Sequence, residues 1–83
     1  MFINKSKDGL NNVCGRKVAA LRKRMKPKVS QRALAHNLQV AGLDVDKNAV
    51  QRIESGQRFV TDIELVVLSK VLNVSIETLL TND

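Results

Sequence analysis

Apolar positions recur at helical spacing along most of the chain. Between Asn12 and Met25, the residues Cys14, Val18, Leu21 and Met25 fall on one stripe about 60° wide, with Arg16, Arg22 and Lys23 outside it. This spacing predicts a first helix over 12–25. Pro27 ends it, because proline disfavours helical backbone at the residue before it. A second helix starts with Ser30 as N-cap, sets Leu34, Leu38 and Ala41 on one face, and stops at Gly42. A third has Asp46 as N-cap and ends at Ser55-Gly56. Thr61-Asp62-Ile63-Glu64 has the form of a capping box, Thr61 at the N-cap and Glu64 at N3, and opens a fourth helix. Leu65, Val66, Val67, Leu68, Val71 and Leu72 make that helix apolar nearly all round, the pattern of a buried central helix. Its β-branched residues would also suit a strand, but the capping box and the length favour a helix. A short fifth helix runs from Ser75, its N-cap, to Leu80. The pattern predicts an all-α fold, with residues 1–10 as a loose polar arm and residues 11–83 as one compact five-helix domain.

The third helix is sharply two-faced. Lys47, Asn48, Gln51 and Arg52 share a sector of about 140°, and Ala49, Val50 and Ile53 lie on the other side. None of the four front residues is acidic. Arg and Lys can donate to guanine O6 and N7, and Asn and Gln can pair with adenine N6 and N7. An ordinary solvent-exposed amphipathic helix could look the same, so the second helix matters. Its start carries Ser30-Gln31, preceded by Lys26 and Lys28. A helix N-terminus offers free N–H groups and partial positive charge, which suit a phosphate. A basic helix start followed by a polar-faced helix is the organisation of a helix-turn-helix, in which one helix crosses the nucleic-acid backbone and the next reads bases.

Charge supports a polyanionic partner. Residues 1–58 hold 13 Lys or Arg against 4 acids, whereas residues 59–83 hold one Lys against 4 acids. The 83 residues include two Phe, no Trp and no Tyr, too few rings for a base-stacking platform, which turns the expectation from single strands to duplex DNA.

Three stretches carry a resemblance. They are Ser30-Gln31-x-x-Leu34-Ala35-x-x-Leu38, then Val50-x-x-Ile53-Glu54-x-Gly56-x-Arg58, then Leu65-x-x-Leu68-x-x-x-Leu72-x-Val74-Ser75-x-x-x-Leu79-Leu80. Together they resemble the lambda-repressor-like helix-turn-helix family, the XRE or Cro-type transcriptional regulators of bacteria and phages, over residues 13–80. The resemblance implies a five-helix domain with its second and third helices as the helix-turn-helix. It implies base contacts from Lys47, Asn48, Gln51 and Arg52, and phosphate contacts from Lys28, Ser30, Gln31, Gln57 and Arg58. It also implies a structural ion pair between Arg24 and Glu54, tying the first helix to the third. Two departures stand out. The stretch Gln39–Val45 is longer than usual in the family, read as an extra turn of the second helix with Leu43 and Val45 plugging the core. Val60 stands where a proline is common.

The implied function is sequence-specific binding of duplex DNA as a transcriptional regulator, repressor in preference to activator. The partner expectation is DNA together with a homodimer, formed either through the last helices or only on DNA. The alternative is a protein-interaction module of the same fold, such as an antitoxin or a regulator-binding protein, with Val74, Leu79 and Leu80 offered to a partner. No cofactor, metal or catalytic function is expected. Cys14 reads as a buried thiol, His36 is the only histidine, and no paired-carboxylate or nucleophile arrangement is suggested. The longest apolar runs are four residues, and Met1–Lys5 lacks the apolar segment of a signal peptide, so the expected compartment is the cytoplasm without a membrane partner.

Overall fold

The computed structural model describes residues 9–81. Most of the expected N-terminal arm lies outside them. Five helices follow one another: α1 (Gly15–Arg24), α2 (Gln31–Val40), α3 (Lys47–Glu54), α4 (Asp62–Leu72) and α5 (Ile76–Leu80). The described residues contain no strand.

Local chemistry accounts for the helix boundaries. Ser30, Asp46 and Ser75 each accept a hydrogen bond at their side-chain oxygen from the backbone N–H three residues on, at 3.0, 2.8 and 3.0 Å. The Thr61 capping box is complete. Glu64 N donates to Thr61 Oγ1 at 3.2 Å, and Thr61 N donates to Glu64 Oε1 at 2.9 Å. Helix α1 starts later than predicted, yet Asn12 still serves it. Its Oδ1 accepts from Gly15 N at 2.8 Å, while Cys14 at the N-cap makes no side-chain cap. Helices α2 and α3 end in the same way, with Gly42 and Gly56 at positive φ and the next residue's N–H donating back to Leu38 O and Arg52 O. Asn73, also at positive φ, plays that part for α4.

The core is drawn from every helix: Val18 of the first with its N-cap Cys14, Leu34, Ala35 and Leu38 of the second, Val50 and Ile53 of the third, Leu68 and Leu72 of the fourth, and Leu79 of the fifth. Leu21 and Met25 pack against it partly buried. Gly15 lets α1 and α3 meet closely, since a Cβ there would collide with the Ile53 carbonyl. Helices α2 and α3 pack on each other, and α1 touches α3, α4 and α5.

Four expectations are corrected. The long segment after Leu38 is not an extra helical turn. Helix α2 ends at Val40, and residues 41–46 form a turn in which Val45 is buried and Leu43 packs partly buried on the core. Gln39 Nε2 donates to Val45 O at 2.7 Å and braces that turn. Ala41 does not share the buried face of Leu34 and Leu38. It is the exposed C-cap. Helix α4 is not buried all round: Ile63 is 72 % exposed and Val66 40 %, because its neighbours α1, α2 and α5 cover one side only. Leu79, offered above to a partner, is wholly buried, whereas Leu80 is exposed.

Candidate nucleic-acid interface

Helix α3 is anchored by its apolar back, Val50 and Ile53, and presents Lys47, Asn48, Gln51 and Arg52 as an exposed front. Asn48, Gln51, Arg52, Ser55 and Gln57 line one shallow hollow, so the front continues past the helix end to Gln57. At the α2 start, Lys28 and Ser30 are exposed and line a second hollow with Arg22, Lys23 and Val29.

Glu54 joins these two edges. Its Oε2 accepts from Arg22 Nε at 2.6 Å, and its Oε1 accepts from Arg22 NH2 at 3.0 Å and from Gln31 Nε2 at 2.9 Å. Arg22 NH1 also donates to Val29 O at 3.0 Å, fastening the strand of chain that leads into α2. One carboxylate at the end of α3 thus braces α1 and the first residue of α2. The hydrogen bonds it donates to Glu54 hold the Arg22 guanidinium above its ordinary pKa. This corrects the expected Arg24–Glu54 pair: Arg24 is exposed and Arg22 takes the place. The reason lies in helical geometry. Arg22 is seven residues, about two turns, beyond Gly15, and so lies on the flank of α1 that meets α3. Arg24, two residues further, is rotated about 200° away. The signal for Arg22 was Gly15 itself, a small residue marking where another backbone comes close.

Gln31 and Arg58, both expected at phosphates, have protein partners. Gln31 Nε2 carries two hydrogens, of which Glu54 takes one. Arg58 clasps Glu64 with NH1 to Oε1 at 3.0 Å and NH2 to Oε2 at 2.8 Å, and donates to Phe59 O at 3.3 Å. Three of its five N–H groups are therefore engaged. Arg58 raises the helical capping box into a larger unit, and its hydrogen bonds, aided by Thr61, hold the Glu64 carboxyl below its usual pKa despite burial.

Two further residues escape sequence reasoning. Asn11 Nδ2 donates to Gln57 O at 2.7 Å, and Asn12 Nδ2 donates to Ile53 O at 3.1 Å and Arg58 O at 2.7 Å. Their signal was faint, a paired Asn ahead of a helix, which on its own says only N-cap. The other candidate chemistry stays apart: His36 is exposed on α2, Cys14 is buried, and the described residues hold no cluster of His, Cys, Asp and Glu suited to a metal. No helix among them is long and apolar enough to cross a membrane.

Five short helices on one core, the second and third forming a helix-turn-helix whose third helix bears an exposed polar front, define a lambda-repressor-like DNA-binding domain. A helix-turn-helix family model matches residues 18–79, and the chain belongs to that family, in its XRE-type branch of DNA-binding regulators. Among solved structures, the restriction-modification controller protein C.AhdI from Aeromonas hydrophila is similar. It superposes with a TM-score of 0.64 at 29 % identity, covering 80 % of this chain and 86 % of that one. No curated protein matches.

Proposed function

We propose that this chain is a transcriptional repressor that binds duplex DNA sequence-specifically as a homodimer. The observation that carries the reading is the exposed front of α3, four non-acidic hydrogen-bonding side chains on a helix whose other side is locked into the core. Asn48 and Arg52, with Lys47 and Gln51, read base edges in the major groove. Lys28, Ser30 and Gln31 take the phosphates at the α2 start, where the free N–H groups add to the attraction. Gln57 takes a phosphate beyond the end of α3, with Arg58 lending the N–H groups that Glu64 leaves over. Repression requires only that the bound protein occupy its site, which is why it is preferred to activation. Similarity to a controller protein is in keeping with a regulatory role.

Modules of this kind read paired half-sites about one helical turn apart. The exposed apolar residues Phe59, Ile63 and Val66, and Ile76 and Leu80 of α5, are the surface offered to a second copy. The same surface favours the competing reading, a module whose apolar end binds a different protein.

Selection from randomised duplexes at about 150 mM salt tests the proposal, with enrichment of a two-fold related motif as the expected result. Absence of any enriched sequence, alongside a stoichiometric protein partner in a pull-down, would move the assignment to the interaction module.

A further inference from the structure

We infer that Asn11, with Asn12, is a positioning residue for DNA binding: the segment ahead of α1 straps the loop after α3 so that Gln57 is held at its phosphate. The inference rests on the DNA-binding reading above. Four consecutive bonds define the strap. Asn11 N donates to Gly56 O at 2.8 Å, Asn11 Nδ2 to Gln57 O at 2.7 Å, and Asn12 Nδ2 to both Arg58 O and Ile53 O at 2.7 and 3.1 Å. The carbonyls of three successive loop residues, 56, 57 and 58, are therefore all taken from one side. From the other side, Gly56 N donates to Ile53 O, and Gln57 N and Arg58 N both donate to Arg52 O. A loop backbone with every polar group between Gly56 and Arg58 engaged has little freedom left.

Packing closes the strap. Leu10 lies against Gly56, where a Cβ would come within 2.9 Å of its Cδ2, and Gly56 has a φ of +82°. Only glycine combines that backbone with that contact. Gln57 also lines the hollow shared with Asn48, Gln51, Arg52 and Ser55. The two asparagines differ in what they hold. Asn12 also accepts from Gly15 N, so it serves α1 as well as the loop. Asn11 serves the loop alone, and its Oδ1 is buried with no protein partner among the described residues. That orphaned oxygen opposes the gain from the Gln57 bond, so the Asn11 amide adds little to stability while fixing the loop.

The test uses Asn11→Ala, Gln57→Ala and the double variant on the duplex enriched by wild type, with Asn11→Ser as a second replacement. Asn11→Ala is expected to keep the wild-type melting temperature within a degree or two and to weaken binding about five- to tenfold on every duplex tried, leaving sequence preference unchanged. Gln57→Ala should do the same, and the double variant should be no weaker than Gln57→Ala alone. Without DNA, hydrogen exchange at the Gln57 and Arg58 amides should quicken in Asn11→Ala and Asn11→Ser, while that of α3 core amides stays unchanged. Unaltered exchange at those amides, wild-type affinity in Asn11→Ala, or losses that multiply in the double variant would overturn the inference with DNA binding intact. If wild type selects no duplex, the DNA-binding reading itself falls.

Discussion

Glu54 shows how much of this molecule depends on single side chains. It is 7 % exposed and its partner Arg22 11 %, so removing one leaves the other short of water and of a counter-charge. Arg22→Ala should cost about 2–4 kcal/mol in urea unfolding. Arg24→Ala should stay within about 0.5 kcal/mol, since nothing around that exposed residue depends on it. The sequence carried the need for a cation near Glu54 but not its address. Choosing between two arginines two positions apart required knowing which flank of α1 meets α3, and that is a tertiary fact hinted at only by Gly15. Arg52 stands exposed on the front of α3, which was legible because period and residue type sufficed to place it. Arg52→Ala should lose about 1–3 kcal/mol on the preferred duplex and relax preference at its base pair, as read by competition binding.

Helix ends were the most legible feature of the elements, because a cap is built from residues a few positions apart. Ser30, Asp46, Thr61 and Ser75 all stand where their types predict. The α2–α3 connection was harder. Leu43 and Val45 could have continued a helix, but Gly42 turns the chain and Gln39 braces the turn, so the added residues lengthen the connection instead. The exposed side of α4 was equally hidden, since an apolar helix does not say how many neighbours it has. The α4 start yields a pH prediction. Glu64 has a folded-state pKa below its ordinary value, chiefly through Arg58 and then Thr61. A depressed carboxylate contributes stability that is complete above its unfolded value of about 4.3 and is lost as pH falls through the lower folded value. Melting temperature should therefore drop below about pH 4.5, and the drop should shrink in Glu64→Gln, which starts from a lower plateau at pH 7.

The whole molecule divides its charge along its length. The first three helices and the turn after them carry the positive surplus, and α4 and α5 a slight negative one. Under the proposed function, such a division orients the encounter with DNA, with the basic helices leading. Affinity should fall linearly with the logarithm of salt, by about 0.9 for each phosphate neutralised, and Lys28→Ala should lower that slope by about one per half-site. At the trailing end, Ile63→Glu places a charge on a residue already 72 % exposed. Folding stability should change by about 0.5 kcal/mol or less, whereas a dimer seen by sedimentation at micromolar concentration should dissociate. Fold class and charge division were readable from the chain because they follow from period and composition. The exposed apolar surface was not, because it is defined by what the other helices leave uncovered.

Cys14 turns the packing of the core at the foot of α1 into a clock. It is the chain's only thiol, 1 % exposed at the foot of α1, and burial, helped by the Glu64 carboxylate, pushes its pKa above that of an ordinary cysteine. An alkylating reagent can reach it only when that packing opens. The rate of labelling in the native protein therefore times that opening.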